Sequence, residues 1–145
     1  MLMALMHKLF ILILSLFTFT IESDECPSSK DAKVYFISPS DGYVSFKSEI
    51  RIVFGLENFN ILPAGSMGCN SGHHHLILNA ELPNLSRPIP SSDSYIHFGK
   101  GQTETIINLK PGKHSLQLLL GDYAHIPHKK PIFSEKIYIE VISSE

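Results

Sequence analysis

Apolar and polar residues alternate in short stretches along most of the chain, which is the pattern of β-strands with one buried face. In Glu49–Phe54 isoleucine and phenylalanine alternate with Arg51, and His114–Leu120 alternates in the same way. Proline and glycine separate these stretches, and none of them has a clear helical period. The pattern therefore predicts strands.

Seven stretches have this strand character. They are Lys33–Ser38, Glu49–Phe54, His73–Asn79, Tyr95–Phe98, Thr103–Leu109, His114–Leu120 and Ile132–Ile142. Short strands without intervening helices are typical of an antiparallel β-sandwich, so we predict an all-β, immunoglobulin-like fold. In such a fold the connections after the second, fourth and sixth strands meet at one end of the sandwich.

The first residues have the character of a targeting segment. Leu9–Ile21 is apolar, follows the basic residues His7 and Lys8, and precedes the polar Glu22–Asp24. This order predicts a secretory signal peptide over residues 1–23 and a single domain over residues 24–145, located outside the cell or in the periplasm. An uncleaved membrane anchor is the alternative, although the apolar run is short for a span.

Composition narrows the range of partners. The formal net charge is −2, and the chain has no tryptophan and no run of basic residues. The sequence therefore does not predict binding to nucleic acid. Beyond the leader no apolar run approaches the roughly 20 residues needed to cross a bilayer, so the mature form is not expected to span a membrane.

Histidines supply the candidate chemistry. His73 and His75 begin the third strand and should lie on one face, roughly 6 to 7 Å apart, with His74 on the other. Three more histidines fall at the same end of the predicted sandwich. The predicted metal ligands are His73, His75, His97, His125 and His128.

Neutral imidazoles suit Cu(II) and Zn(II), so copper or zinc is the expected ion, for handling or storage. Met67 is the one thioether beyond the leader, which disfavours a methionine-type Cu(I) site. Alternatively, consecutive histidines are simply hydrogen-bonded and solvated at a strand entrance. The protein would then be a non-catalytic recognition module of the cell envelope, whose histidine end contacts a protein or a glycan and is structural or pH-sensitive.

Other residues are expected to be structural. His114 shares a face with the leucines that follow it and comes after the turn containing Gly112, at the far end of the sandwich. Asp122 lies close to the histidine motifs and is also taken as structural. Since no nucleophile–base pair or paired acids stand at diagnostic spacing, the sequence makes no case for an enzyme; catalysis would first require a metal with an open position.

The two cysteines, Cys26 and Cys69, permit one disulfide in an oxidising compartment. The alternative makes Cys69 a soft metal ligand, because it stands four residues before His73.

Three motifs together resemble a known family. They are GHHHLIL at Gly72–Leu78, IPSSDSYIHFGKGQTET at Ile89–Thr105 and PGKHSLQLLLGDYAHIPH at Pro111–His128. They resemble the small exported family called domain of unknown function 4399, and the likeness extends from VYFISPSDG at Val34–Gly42 to SEKIYIEV at Ser134–Val141. The resemblance implies a secreted or periplasmic single-domain protein with this set of histidines. Cys69 is not part of the family pattern.

Overall fold

The computed structural model describes residues 30–143, which form nine β-strands and no helix. The strands are β1 (Lys33–Ser38), β2 (Tyr43–Ser45), β3 (Glu49–Glu57), β4 (Asn60–Ile61), β5 (Ser71–Leu78), β6 (Tyr95–His97), β7 (Glu104–Asn108), β8 (Gly112–Gly121) and β9 (Ile137–Val141).

The strands form two sheets. The smaller sheet has the order β1-β3-β7 and is antiparallel. The larger sheet has the order β2-β9-β8-β5-β4, and β6 also pairs with β5. Within the larger sheet β2 is parallel to β9 and β4 is parallel to β5, and the other pairs are antiparallel. The predicted all-β, immunoglobulin-like sandwich is confirmed.

The core lies between the two sheets because each strand directs alternate residues inward. Ile50, Ile52 and Phe54 of β3 face Leu116 and Leu118 of β8, and all five side chains are buried. Burial of each such side chain contributes about 1.5–3 kcal/mol relative to exposure, so these alternating positions account for much of the fold's stability.

A second, smaller apolar cluster covers the outer face of the larger sheet. Ile77 of β5 and Leu119 of β8 point outward and pack against Ile89, in the long connection between β5 and β6. Because of this cover, β5 is buried on both faces along nearly its whole length. Side chains on the outer face of β5 are thus enclosed even though they lie outside the main core.

The prediction of seven strands omitted two. The short strands β2 and β4 pair in parallel with β9 and β5 respectively, at or near the edges of the larger sheet. Each has only two or three residues, too few to show an alternating pattern. The predicted last strand also began too early, since Ile132–Ser134 makes separate bonds to β8 before β9 starts.

The predicted signal peptide and Cys26 lie outside the described residues. Across residues 30–143, no helix has the length and apolar character required to cross a bilayer.

Candidate metal centre

Strand alternation separates the three consecutive histidines. The rings of His73 and His75 lie on the outer face of the larger sheet with their centroids 4.8 Å apart. His74 points inward, and its ring packs against Phe54 at 4.8 Å. The strand period therefore makes a histidine pair on one face and a core histidine on the other.

Strand register adds a third imidazole. His97 closes β6 and lies directly opposite His75 in the antiparallel pairing of β5 with β6. Residues directly opposite in such a pair share a face. The His97 ring accordingly lies 5.1 Å from that of His75 and 4.8 Å from that of His73.

A tight loop after β8 adds the fourth. One carboxylate oxygen of Asp122, Oδ1, accepts hydrogen bonds from the N–H groups of Ala124 (2.8 Å) and Ile126 (2.9 Å). The N–H of His125 donates to the Asp122 carbonyl at 3.0 Å. These bonds hold His125 in the left-handed region, at φ 65°, which is uncommon for a residue other than glycine. The loop thereby directs the His125 ring back over β5 and β6.

We call His73, His75, His97 and His125 the four-histidine cluster. The Nε2 atoms of His97 and His125 are 3.1 Å apart. One nitrogen from each of His73, His97 and His125 lies within 4.8 Å of the others. His75 stands beside this triad. Four of the five predicted metal ligands thus lie close together in the structure.

Two members of the cluster are fully enclosed. His73 is 0 % exposed, and neither of its ring nitrogens has a hydrogen-bond partner. His75 is 1 % exposed, and its Nδ1 is likewise without a partner. Each buried polar atom left unpaired costs about 1–3 kcal/mol. The cluster therefore contains buried nitrogens with unsatisfied bonding capacity, on rings that lie beside other imidazoles.

Burial also keeps these rings neutral. Desolvation, aided by repulsion from His97 and His125, lowers the pKa of His73 from 6.5 to about 4. Desolvation and the neighbouring histidines lower the pKa of His75 to about 3. Burial likewise lowers the pKa of His97. Neutral imidazole is the form that binds metal ions, so at neutral pH these rings need not lose protons first.

Two glycines, Gly121 and Gly99, make room for the cluster, and neither was among the residues predicted for the site. Gly121 lies opposite His73 in the pairing of β5 with β8, and a Cβ there would stand 2.8 Å from Cε1 of His75. A Cβ on Gly99 would overlap the imidazole of His97. The signal available in the sequence was a glycine two residues after His97 and another at the end of a leucine-rich strand.

His74 has a different environment. Its Nδ1–H donates to the carbonyl of Gln102 at 3.2 Å, and its Nε2 is buried without a partner. Burial lowers its pKa to about 4, partly offset by the bond to Gln102. This histidine links the inner face of β5 to the loop that precedes β7.

The structure does not bring His128 into the cluster. A Cβ on Gly72, which would point to the same face as His74, would lie 3.3 Å from His128 Nε2. The ring of His128 contacts the ring of Phe59 edge-on at 5.1 Å. His128 thus lies on the opposite face of β5 from His73 and His75.

His114 lies far from the cluster, at the other end of β8. Its Nε2–H donates to the Lys110 carbonyl at 2.8 Å, and its Nδ1 accepts from the side-chain amide of Asn79 at 3.0 Å. Gly112 begins the same strand at φ 136°, a conformation that favours glycine. The structural roles of His114, Gly112 and Asp122 stay predictions.

Cys69 is part of a disulfide, so its sulfur is not a free thiolate available to a metal. The predicted pairing with Cys26 stays a prediction, because Cys26 lies outside the described residues.

The described triad consists of imidazoles alone. Nitrogen donors of this kind suit borderline divalent ions such as Zn(II) and Cu(II) better than Ca(II) or Mg(II), which prefer oxygen. His97 and His125 lie nearer the surface than His73 and His75, so the triad is accessible from one side.

Comparison with known proteins gives a family and a distant structural likeness. Residues 52–142, well over half of the chain, match the family described as "Domain of unknown function (DUF4399)". No curated protein matches the sequence. A solved structure titled "Structures of Clostridium thermocellum CbhA fibronectin(III)-like modules" is 12 % identical and covers 77 % of this chain and 99 % of its own, with a TM-score of 0.46. At that TM-score the likeness carries no conclusion about function.

Proposed function

The chain belongs to the domain of unknown function 4399 family, and from its own histidines we propose that it is an exported metal-binding protein. In this proposal the four-histidine cluster holds one Zn(II) or Cu(II) ion for handling or storage. The proposal assigns no catalytic residue.

One observation carries the proposal. His73 is completely enclosed, has no hydrogen bond at either ring nitrogen, and faces His97 and His125 at ring distances of 4.8 and 5.0 Å. Buried polar groups normally have partners, and unpaired ones call for an explanation such as a bound ion. A metal ion among the rings would supply a bond to His73 and to each neighbouring imidazole at once.

The donor set supports zinc or copper in particular. The triad contains no sulfur, and Met67 lies 76 % exposed on the loop before β5. A thioether-based Cu(I) carrier is therefore disfavoured, whereas imidazoles bind both Zn(II) and Cu(II) well.

Export is part of the same proposal. We place the leader at residues 1–23 and the exported domain at residues 24–145, on the strength of the apolar run Leu9–Ile21. The disulfide at Cys69 supports an oxidising compartment, since disulfides are rare in the cytosol. A metal ion is the proposed ligand, and an envelope protein is the proposed partner.

The deciding experiment is elemental analysis of protein isolated without a histidine tag, followed by calorimetric titration of the metal-free form. We expect about one equivalent of zinc or copper per chain, and strong loss of binding in His73→Ala but not in His114→Ala. If the competing hypothesis of a recognition module is right, tag-free protein will contain no stoichiometric metal and His73→Ala will titrate like the wild type.

A further inference from the structure

The four rings of the cluster have a definite mutual arrangement. Four rings make six pairs, and five of the pairs have centroid distances between 4.6 and 5.1 Å. The sixth pair, His75 with His125, is 6.0 Å apart. The cluster is thus nearly equidistant and three-dimensional, with one longer edge.

Metal geometry makes different predictions for these six distances. With a metal–nitrogen bond of about 2.0–2.1 Å, each ring centre lies about 3.2 Å from the ion, so a tetrahedral site places every pair of ring centres about 5 Å apart. A square-planar site instead requires four pairs at about 4.5 Å and two opposite pairs at about 6.3 Å.

The observed distances fit the tetrahedron. If His75 and His125 were opposite corners of a square, His73 and His97 would have to be the other opposite corners and equally far apart. Those two rings are only 4.8 Å apart. The short His73–His97 distance therefore excludes the square arrangement for the rings as they stand.

The distances between ring centres hardly change when a ring makes a half-turn. Such a turn exchanges nitrogen and carbon positions but leaves the ring centre almost in place. In one pair the nitrogens are also at a distance that fits two ligands of one ion: the Nε2 atoms of His97 and His125 are 3.1 Å apart. Two ligands of one tetrahedral ion are about 3.3 Å apart at the same bond length.

From this arrangement we infer that the four-histidine cluster is a tetrahedral, all-imidazole site for Zn(II), with His75 as the fourth ligand, and not a tetragonal Cu(II) site. The inference rests on the proposed function and narrows it to one ion. His75 stands beside the triad and carries a buried Nδ1 without a partner, which makes it the fourth ligand in this inference.

The backbone supports this preference. Three of the four histidines are on paired strands, β5 and β6, and the fourth is on a loop tied by the Asp122 bonds. In a flexible set of nitrogen ligands Cu(II) binds more tightly than Zn(II). A fixed tetrahedral frame reduces that advantage, because Cu(II) would have to bind in a geometry that it does not favour.

Cobalt(II) provides a direct test in the intact, tag-free protein. We expect Co(II) to give the intense visible bands of four-coordinate cobalt and to be displaced by one equivalent of Zn(II). We expect the paramagnetic resonance spectrum of the Cu(II) form to show tetrahedral distortion. Weak six-coordinate cobalt bands, or a regular tetragonal copper spectrum, would overturn the inference and leave the proposed function standing. If neither Zn(II), Cu(II) nor Co(II) binds, both fail.

Variants test the role of His75. His75→Ala should weaken Zn(II) binding at least tenfold and alter the cobalt bands as water replaces the fourth imidazole, whereas His128→Ala should leave both unchanged. If His75→Ala does not fold, His125→Asn serves in its place, because asparagine tolerates the left-handed conformation of that position. In that variant the same loss of affinity and the same change of bands are expected. Wild-type cobalt bands in whichever variant is measured would overturn the tetrahedral assignment.

Discussion

His97 and His125 are 28 residues apart in the sequence, and their Nε2 atoms lie 3.1 Å apart in the fold. At this distance one neutral ring can donate its N–H to the other, or both nitrogens can bind one ion. A hydrogen bond would give a partner only to His97 and His125 and would leave His73 without one. A shared ion would give a bond to His73 as well, and this arrangement leads to predictions that can be measured.

Replacement of His73 should separate binding from folding. We expect His73→Ala to lower metal affinity at least tenfold, a loss of about 1.4 kcal/mol, because the most enclosed ligand is removed. His128→Ala is the matched control, since that ring lies on the opposite face of β5. Calorimetric titration measures both variants, and equal affinity in His73→Ala and wild type would rule out the site.

Asp122 should act on the metal through the loop. In Asp122→Ala the N–H groups of Ala124 and Ile126 lose their acceptor, so His125 is no longer held in position and metal affinity falls. The lost bonds should also cost about 1 kcal/mol of stability. Asp122→Asn retains an oxygen acceptor and should bind nearly as well as wild type. Equal losses in both variants would show that the carboxylate charge matters and the loop geometry does not.

Gly99 should be required for the position of His97. A Cβ at this residue would overlap the His97 ring, which must then move away from His73 and His125. We expect Gly99→Ala to weaken metal binding while thermal unfolding of the metal-free protein changes little, because the displaced ring is near the surface. Unchanged affinity, measured by the same titration, would mean that His97 is not a ligand.

The metal-free protein should lose stability in mild acid. The pKa of His73 and of His74 is lowered to about 4 and that of His75 to about 3, from an ordinary value of 6.5. Below about pH 6.5 the unfolded chain takes up protons that the folded chain refuses, so stability falls as pH falls toward 4. Each histidine contributes up to about 1.4 kcal/mol per pH unit in this window. Urea unfolding at about pH 7 and about pH 5 measures the effect, and a flat profile would contradict it.

His114 should affect the fold and leave the metal unaffected. His114→Ala removes the bonds to Lys110 and Asn79, and we expect it to lower stability by about 1–3 kcal/mol. Metal affinity should stay at the wild-type value, because His114 lies at the far end of β8 from Gly121. A large loss of metal affinity in this variant would contradict the prediction, because it would mean that any loss of fold stability also lowers metal affinity.

Some of this architecture could be predicted from the sequence because it follows from local rules. The period of a strand places His73 and His75 on one face and His74 on the other, and the structure has this arrangement. The leucines after His114 alternate for the same reason, and they form the centre of the core.

Other parts depend on relations that are not local. The position of His128 depends on the loop after β8, where a left-handed residue reverses the chain, and its sequence does not reveal on which side of β5 the loop ends. The strand β2 is defined by its pairing with β9, near the other end of the described residues, and β4 by its pairing with β5. The need for Gly121 and Gly99 arises only after His75 and His97 have been brought beside them.

The four-histidine cluster lies on the outer face of the larger sheet, whereas the main apolar core lies between the two sheets. Small zinc domains that have no such core are unfolded until the metal arrives. Here the sandwich has its own apolar core, so its folding does not depend on a metal ion. Under the proposed function, an exported chain would complete its fold first and would then meet the ion as a finished receptor.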